Sequence, residues 1–117
     1  HHHLWDGPHV QRYVLEDLRG DTGAGHNVEA TVFIDCMWDY RRDGPRELRQ
    51  VGETERAAAE ARTSATTPGA QIKAIVSWVD MTLGADAGPV LDAHLAAGDG
   101  LDNYWVQDDS PHHDRDA

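Results

Sequence analysis

Cysteine and long apolar runs are both scarce in this chain of 117 residues. Its single cysteine, Cys36, excludes an internal disulfide, and nothing else points to an oxidising compartment. No apolar run approaches the ~20 residues that a membrane helix needs. Residues 1–20 also lack the charged start and apolar stretch of a signal peptide. The sequence therefore predicts a soluble protein, with the cytoplasm as its default location.

Positive charge is scarce as well. The chain has 10 Lys and Arg against 21 Asp and Glu, which gives a formal net charge of −11. Nucleic acids and anionic membranes bind clustered positive charge, so we expect neither as a partner. The G-x-G-x-x-G, P-loop and C-x-x-C patterns are absent, which leaves nucleotide binding and a zinc ribbon without support. Small molecules or proteins are the expected partners.

What the chain does contain is an alternation of strand and helix signals. The hydrophobic content of 39% is enough for one modest core. Continuous apolar, β-branched runs predict buried parallel strands within 29–36 and 72–79. Helical spacing or an Ala-, Glu- and Arg-rich composition predicts helices over 10–19, 53–62 and 89–97. Left-handed glycines are predicted to end the first and last of these helices, at Gly20 and Gly98.

This alternation predicts an α/β fold of parallel βα units. A closed (β/α)8 barrel needs ~200 to 250 residues, about twice what this chain supplies. The residue pattern therefore leaves two alternatives open, a piece of a barrel or a small open sheet.

The first six residues, His1-His2-His3-Leu4-Trp5-Asp6, have two interpretations. On an extended strand His1 and His3 share a face while His2 points the other way, as two imidazoles that bind one cation require. A histidine run at residue 1 is also typical of an expression tag. The direct passage into Leu4-Trp5-Asp6, with no Gly/Ser spacer, speaks against a tag.

Five segments in order carry a resemblance to a known family: residues 1–6, Gly25-His26-Asn27-Val28-Glu29-Ala30-Thr31-Val32-Phe33-Ile34-Asp35-Cys36, Asp43-Gly44-Pro45, Val51-Gly52-Glu53-Thr54-Glu55 and Asp80-Met81-Thr82-Leu83-Gly84. Together they resemble the amino-terminal part of an amidohydrolase-superfamily (β/α)8 barrel. The similar group includes sugar lactonases and aromatic-acid decarboxylases. The resemblance covers residues 1–100 as the first three to four units of such a barrel, and residues 101–117 form a divergent acidic tail.

The resemblance implies that His1 and His3 end the first barrel strand and bind a divalent metal, zinc or manganese. In the full-length protein this metal would act on a small-molecule substrate, by hydrolysis of a lactone or ester-like carbonyl or by decarboxylation. The family draws its remaining ligands from later strands, which this sequence does not show. Two imidazoles under-coordinate a cation and offer no general base, so we expect the isolated chain to be inactive, and we assign no catalytic residue.

Three further residues are candidates for substrate binding. Asp35 and Asp80 follow the two predicted strands, at the end where parallel barrels place functional residues. Their alternative role is to cap loops or helix starts. Trp5 lies beside the histidine pair and could line a pocket. Trp78 stands where similar sequences tend to carry a histidine, which weakens any transfer of substrate identity.

The other reactive side chains favour structural roles. Cys36 is flanked by Asp35 and Asp39, which oppose thiolate formation, and we expect it to be a small buried residue. His26 is expected in a loop, and His94 on an aliphatic helix face. The adjacent pair His112 and His113 lies in the acidic tail.

A function of another class is also compatible with this sequence. An incomplete barrel leaves an exposed sheet edge that can pair with another chain. The alternative is therefore a non-catalytic α/β fragment or interaction module, and its most specific version is self-association.

Overall fold

The computed structural model describes residues 1–8 and 11–106. Helices and strands alternate within them as follows: α1 (Leu15–Thr22), β1 (Ala30–Ile34), α2 (Val51–Thr66), β2 (Gln71–Trp78), α3 (Ala87–Ala97) and β3 (Asp102–Val106). Two short 3-10 segments, Arg46–Leu48 and Met81–Asp86, precede α2 and α3. The predicted α/β fold in βα units is thus confirmed.

The three strands form one parallel sheet in the order β1-β2-β3. Phe33, Ile75 and Asn103 are in register across it. The amino-terminal segment extends this sheet, because His2 forms a parallel bridge with Phe33 on the free side of β1. In the described part of the chain the sheet is open and does not close into a barrel.

The helices pack on one face of the sheet. Small residues of α2, Ala57, Ala58 and Ala61, lie against Phe33 and Ile75 in the main core. Because an alanine face lets helix and sheet backbones approach closely, α2 lies deep against the strands and buries eight of its 16 residues. A second, smaller core joins Val79 to α3 through two further residues, Ala87 and Val90. Strand alternation turns Ile34, Val76 and Tyr104 to the opposite face, away from these helices.

The predicted first helix is wrong at its start. Val10 lies outside the described residues, and residues 11–14 are not helical. Tyr13 instead exchanges two backbone hydrogen bonds with Trp5, of 2.9 and 2.8 Å, so the chain stays extended until Val14. The helix begins when Asp17 accepts the Val14 N–H at 2.9 Å. Gly20 therefore lies inside α1, which ends at Thr22 and is capped by Gly23.

A left-handed Gly98 was predicted to end the last helix; its position is confirmed and its conformation is wrong. Gly98 does follow α3, with a φ of −68°, which is right-handed. The left-handed residue is the next one, Asp99, with a φ of 52°. Helix α2 is confirmed and is longer than predicted at both ends.

The segment that the sequence analysis assigned to a divergent tail contributes to the sheet. Residues 102–106 form β3, which pairs with the last five residues of β2. Residues 107–117, including His112 and His113, lie outside the described residues. None of the described helices is both long and apolar enough to span a membrane.

Candidate functional site

The histidine segment lies as a short strand beside the carboxyl end of β1. The His2 N–H donates to the Val32 carbonyl at 3.0 Å, and the Ile34 N–H donates to the His2 carbonyl at 2.9 Å. This pairing fixes the segment in register with the last residues of β1. In a parallel sheet, that edge is where binding and catalytic groups collect.

Side chains of the segment alternate as its extended backbone requires. The His2 ring meets Thr31 Oγ1 at 2.9 Å and stands edge-on to Phe33, a core residue of the helix-covered face. Burial lowers the pKa of His2 to about 4. Alternation places His1 and His3 on the other face, as predicted from the sequence.

His3 is held in one orientation. Its Nδ1 lies 2.8 Å from the Ile34 carbonyl oxygen, and its ring stacks on Trp5 with centroids 5.8 Å apart. A carbonyl only accepts, so Nδ1 carries a proton, and Nε2 is the nitrogen left to bind a metal in the neutral ring. Metal-binding histidines are commonly oriented in this way, by a carbonyl on the nitrogen that does not bind the metal.

The described residues contain no group of three or more His, Cys, Asp or Glu side chains that could hold a metal ion. His1 and His3 are therefore not part of a three-residue metal-binding group within residues 1–8 and 11–106. A tetrahedral zinc site takes at least three protein ligands when it is catalytic.

Asp35 follows β1 and is turned toward α2. It accepts a hydrogen bond from the Tyr40 hydroxyl at 2.8 Å and faces the carboxyl group of Glu53. Glu53 is 2% exposed, and its Oε1 accepts the Cys36 N–H at 2.9 Å. Burial in the first place, and Asp35 in the second, raise the pKa of Glu53 to about 10. The raised pKa favours the neutral acid at pH 7, whose proton the neighbouring Asp35 carboxylate can accept.

This carboxyl pair was not predicted from the sequence. Burial and the nearby carboxylates raise the pKa of the Tyr40 hydroxyl and also that of the Cys36 thiol, which disfavours the nucleophilic thiolate of Cys36. Asp35 lies on the helix side, and His1 and His3 lie on the other. A contact between Asp35 and substrate stays a prediction.

Asp80 lies two residues beyond β2, at the same edge of the sheet as Asp35. Its carboxylate accepts the Thr82 N–H at 3.0 Å and also contacts the Thr82 hydroxyl, at the start of a 3-10 segment. This is the capping geometry that the sequence analysis gave as its alternative. A role for Asp80 in binding substrate stays a prediction too.

A buried polar network joins α2, β2 and α3, which the sequence reasoning also missed. The Thr54 hydroxyl lies 2.7 Å from Ser77 Oγ and 2.8 Å from His94 Nδ1. His94 is fully buried, and burial lowers its pKa to about 4, so the imidazole is neutral. In the sequence, the segment Val51–Glu55 was the signal for both the carboxyl pair and this network. It places polar residues at the start of a helix, next to alanines that had to face the core.

The first turn of α2 also holds the loop that follows β1. A Cβ at Gly52 would lie 2.6 Å from the Arg41 nitrogen and 2.7 Å from the Asp39 carbonyl oxygen, so only glycine fits. Arg41 in turn pairs with Glu55 one helical turn away. His26, by contrast, is exposed in the loop before β1, as expected.

Comparison with protein-family models, curated proteins and solved structures found no match for this chain.

Proposed function

We propose that this chain is the amino-terminal portion of a metal-dependent hydrolase barrel of the amidohydrolase-related kind, with His1 and His3 as its metal ligands. The pairing of the histidine segment with β1 carries the proposal. It puts two imidazoles beside the carboxyl end of a parallel strand, on the face away from the helices, with His3 already oriented through Nδ1. In a (β/α)8 barrel, the face of the sheet away from the helices lines the barrel interior.

The order of the elements supports the same proposal. Four parallel segments lie side by side in chain order: the histidine segment, β1, β2 and β3. Each of the first three is followed by a helix. Sequential neighbours in one parallel sheet are the arrangement of a (β/α)8 barrel. A doubly wound fold instead reverses its strand order at a switch point.

In the complete enzyme, zinc or manganese at this pair would polarise a lactone or ester-like carbonyl, activate water, or assist decarboxylation. The described residues supply orientation and two imidazoles. Because the described residues bring no third ligand and no general base beside the two imidazoles, we expect metal binding without turnover.

The test is a calorimetric zinc titration of the wild type and two variants. We expect the wild type to bind one zinc ion and His1→Ala/His3→Ala to bind at least about tenfold more weakly. The matched control is His2→Gln, which removes the imidazole that points to the helix side and keeps a polar partner for Thr31. We expect this control to bind zinc as the wild type does.

Two results would contradict the proposal. Absence of zinc binding by the wild type would leave the histidines without a metal role. Equal weakening in His2→Gln and in the double variant would mean that the histidines act as an unstructured run, as a tag does.

The exposed edge of the sheet favours self-association as a second candidate function. No described strand pairs with the outer side of β3. Its apolar residues Tyr104, Trp105 and Val106 are 58%, 38% and 40% exposed. Such an edge is a template for pairing with another chain. Sedimentation should then show a dimer that Val106→Lys dissociates and that Val28→Lys, at an equally exposed site elsewhere, leaves intact.

A further inference from the structure

A cavity of about 130 Å³ lies between α2, the start of β2 and the turn that joins α3 to β3. Three charged side chains line it, the cations Arg62 and Lys73 and the carboxylate Asp99. Its apolar lining consists of Ala58, Ala61, Ala65, Ile72 and Leu101. Ligand pockets usually measure about 300–1,000 Å³, so this cavity accommodates a group of only a few heavy atoms.

A β-bulge places Lys73, the only lysine of the chain, at this cavity. Thr31 is paired with Ile72 and Val32 with Ala74, so Lys73 has no partner on β1. Bulges re-aim side chains and are frequent next to functional sites. Here Ile72 is buried in the helix-covered core while its neighbour Lys73 is exposed and lines the cavity. The bulge therefore brings a cation directly beside the apolar lining.

Structural partners do not account for Lys73. A cation near a helix end often serves the last carbonyls of that helix. At the end of α2 these carbonyls already accept hydrogen bonds from the Arg19 guanidinium, at 2.8 and 3.2 Å. The carboxylate in the cavity, Asp99, pairs with Arg62 at 3.2 Å. Within residues 1–8 and 11–106, Lys73 has no carboxylate partner.

The charges at the cavity favour an anion. Two cations and one carboxylate leave a local balance of one positive charge, in a chain whose formal net charge is −11. An ammonium group has three donors and a guanidinium has five, so Asp99 leaves several of them for a ligand. The apolar lining adds a second requirement. Phosphate has no apolar surface to bury there, whereas an aliphatic carboxylate brings both a negative charge and an apolar tail.

We infer that this cavity binds a short aliphatic carboxylate, with the carboxylate group at Lys73 and Arg62 and the tail on the alanines of α2. The first residues of β2 line this site, whereas His1 and His3 lie beside the carboxyl end of β1. It is therefore a second binding site at the other end of the sheet. It does not depend on the proposed hydrolase function.

The test follows backbone amide signals in ¹H–¹⁵N correlation spectra at low ionic strength, where screening is least. Gly98 and Leu101 line the cavity and report on it, and Gly25 and Gly44, in loops elsewhere, are internal references. The probes are isobutyrate, its neutral isostere isobutyramide, and inorganic phosphate. We expect saturable shifts of the two reporter signals with isobutyrate. Affinity should be at least about threefold weaker for isobutyramide, which lacks the charge, and weaker for phosphate, which lacks the tail.

Three variants assign the binding to the cavity. Lys73→Gln should lower the affinity for isobutyrate to that for isobutyramide. The matched control Arg42→Gln removes one positive charge at an exposed arginine outside the cavity and should leave the affinity unchanged. Ala65→Leu fills the cavity from an exposed position of α2 without altering a charge, and should abolish saturable binding of isobutyrate.

Each outcome decides the inference. Shifts that do not saturate with isobutyrate, or equal affinity for isobutyramide, would overturn it. Tighter binding of phosphate would do so too, since the apolar lining would then play no part. Equal weakening by Lys73→Gln and Arg42→Gln would mean that the overall charge, and not this cavity, attracts the anion. The variant His1→Ala/His3→Ala should bind isobutyrate as the wild type does, so loss of the metal site and loss of this site are separate results.

Discussion

Between pH 6.5 and 8.5 the protein should lose stability, and replacing Glu53 by glutamine should abolish most of this loss. In the folded chain the pKa of Glu53 is raised to about 10 from 4.5, mainly by burial and then by Asp35. The folded state therefore holds a proton that the unfolded state has released. Stability from this group is complete below pH 4.5 and falls as pH rises toward the folded pKa, by about 1.4 kcal/mol per pH unit.

His94 acts in the opposite direction. Its folded pKa is lowered to about 4 from 6.5, so its contribution is complete above pH 6.5 and is lost as pH falls through 4. The half-buried His2, whose pKa is also lowered to about 4, adds a smaller effect of the same sign because solvent screens it more. The carboxyl pair and the histidines together place the stability maximum of the wild type near pH 6.5.

The size of this loss follows from the release of one proton on unfolding, over a range of two pH units. From pH 6.5 to 8.5 the wild type should lose about 3 kcal/mol of its free energy of unfolding. Glutamine has the shape of the protonated acid, since its amide can donate to Asp35 and its oxygen can accept the Cys36 N–H. We therefore expect Glu53→Gln to be flat over this range and more stable than the wild type at pH 8.5.

The assay is urea denaturation at half-unit pH intervals, followed by tryptophan fluorescence. The control is Glu60→Gln, which removes a carboxylate from the same helix at its surface pair with Arg56 and should keep the wild-type slope. An unchanged slope in Glu53→Gln, or a variant less stable than the wild type at pH 8.5, would refute the assignment of a shared proton to Asp35 and Glu53.

Three further substitutions test how α2 is held, each by the change in free energy of unfolding in urea. Gly52→Ala should cost about 1–3 kcal/mol, because its methyl group would overlap the backbone of residues 39–41; an unchanged stability would mean that this loop is free to shift. Thr54→Val should cost about 1–3 kcal/mol by leaving His94 Nδ1 without a partner, and a neutral effect would contradict the buried network. Arg19→Met should cost about 1–3 kcal/mol, since its guanidinium donates to carbonyls at the end of α2 and the start of β2; the exposed Arg12→Met is the control.

Local signals predicted much of this fold. The apolar runs of β1 and β2 and the alanine-rich α2 need no distant partner to be recognised, and they are where the sequence placed them. The start of α1 could not be predicted in this way, because the pairing of Tyr13 with Trp5 is a contact between two segments that overrides a helical pattern. The strand β3 was missed for a related reason, since its pairing with β2 supplies what its own composition does not.

In the candidate site, too, local features could be predicted and contacts between distant segments could not. Strand alternation was enough to set His1 and His3 apart from His2, because period two is a local property of the backbone. The sequence did not indicate that Asp35 would face Glu53, since a carboxyl pair forms only after α2 has packed. Nor did it indicate that Trp5 and Trp38 would line one cavity, since they come from segments more than 30 residues apart.

The first turn of α2 is where fold and site depend on each other. Two of its residues contact the loop after β1: Gly52 lies against the backbone of residues 39–41, and Glu53 accepts the Cys36 N–H. The next residue, Thr54, joins the polar network of β2 and α3. In a parallel βα sheet the turn that starts a helix lies near the strand ends where ligands bind. Packing of this turn therefore also fixes the loop that follows β1. A substitution at Gly52 should consequently displace this loop as well as destabilise the fold, because the added Cβ would overlap its backbone.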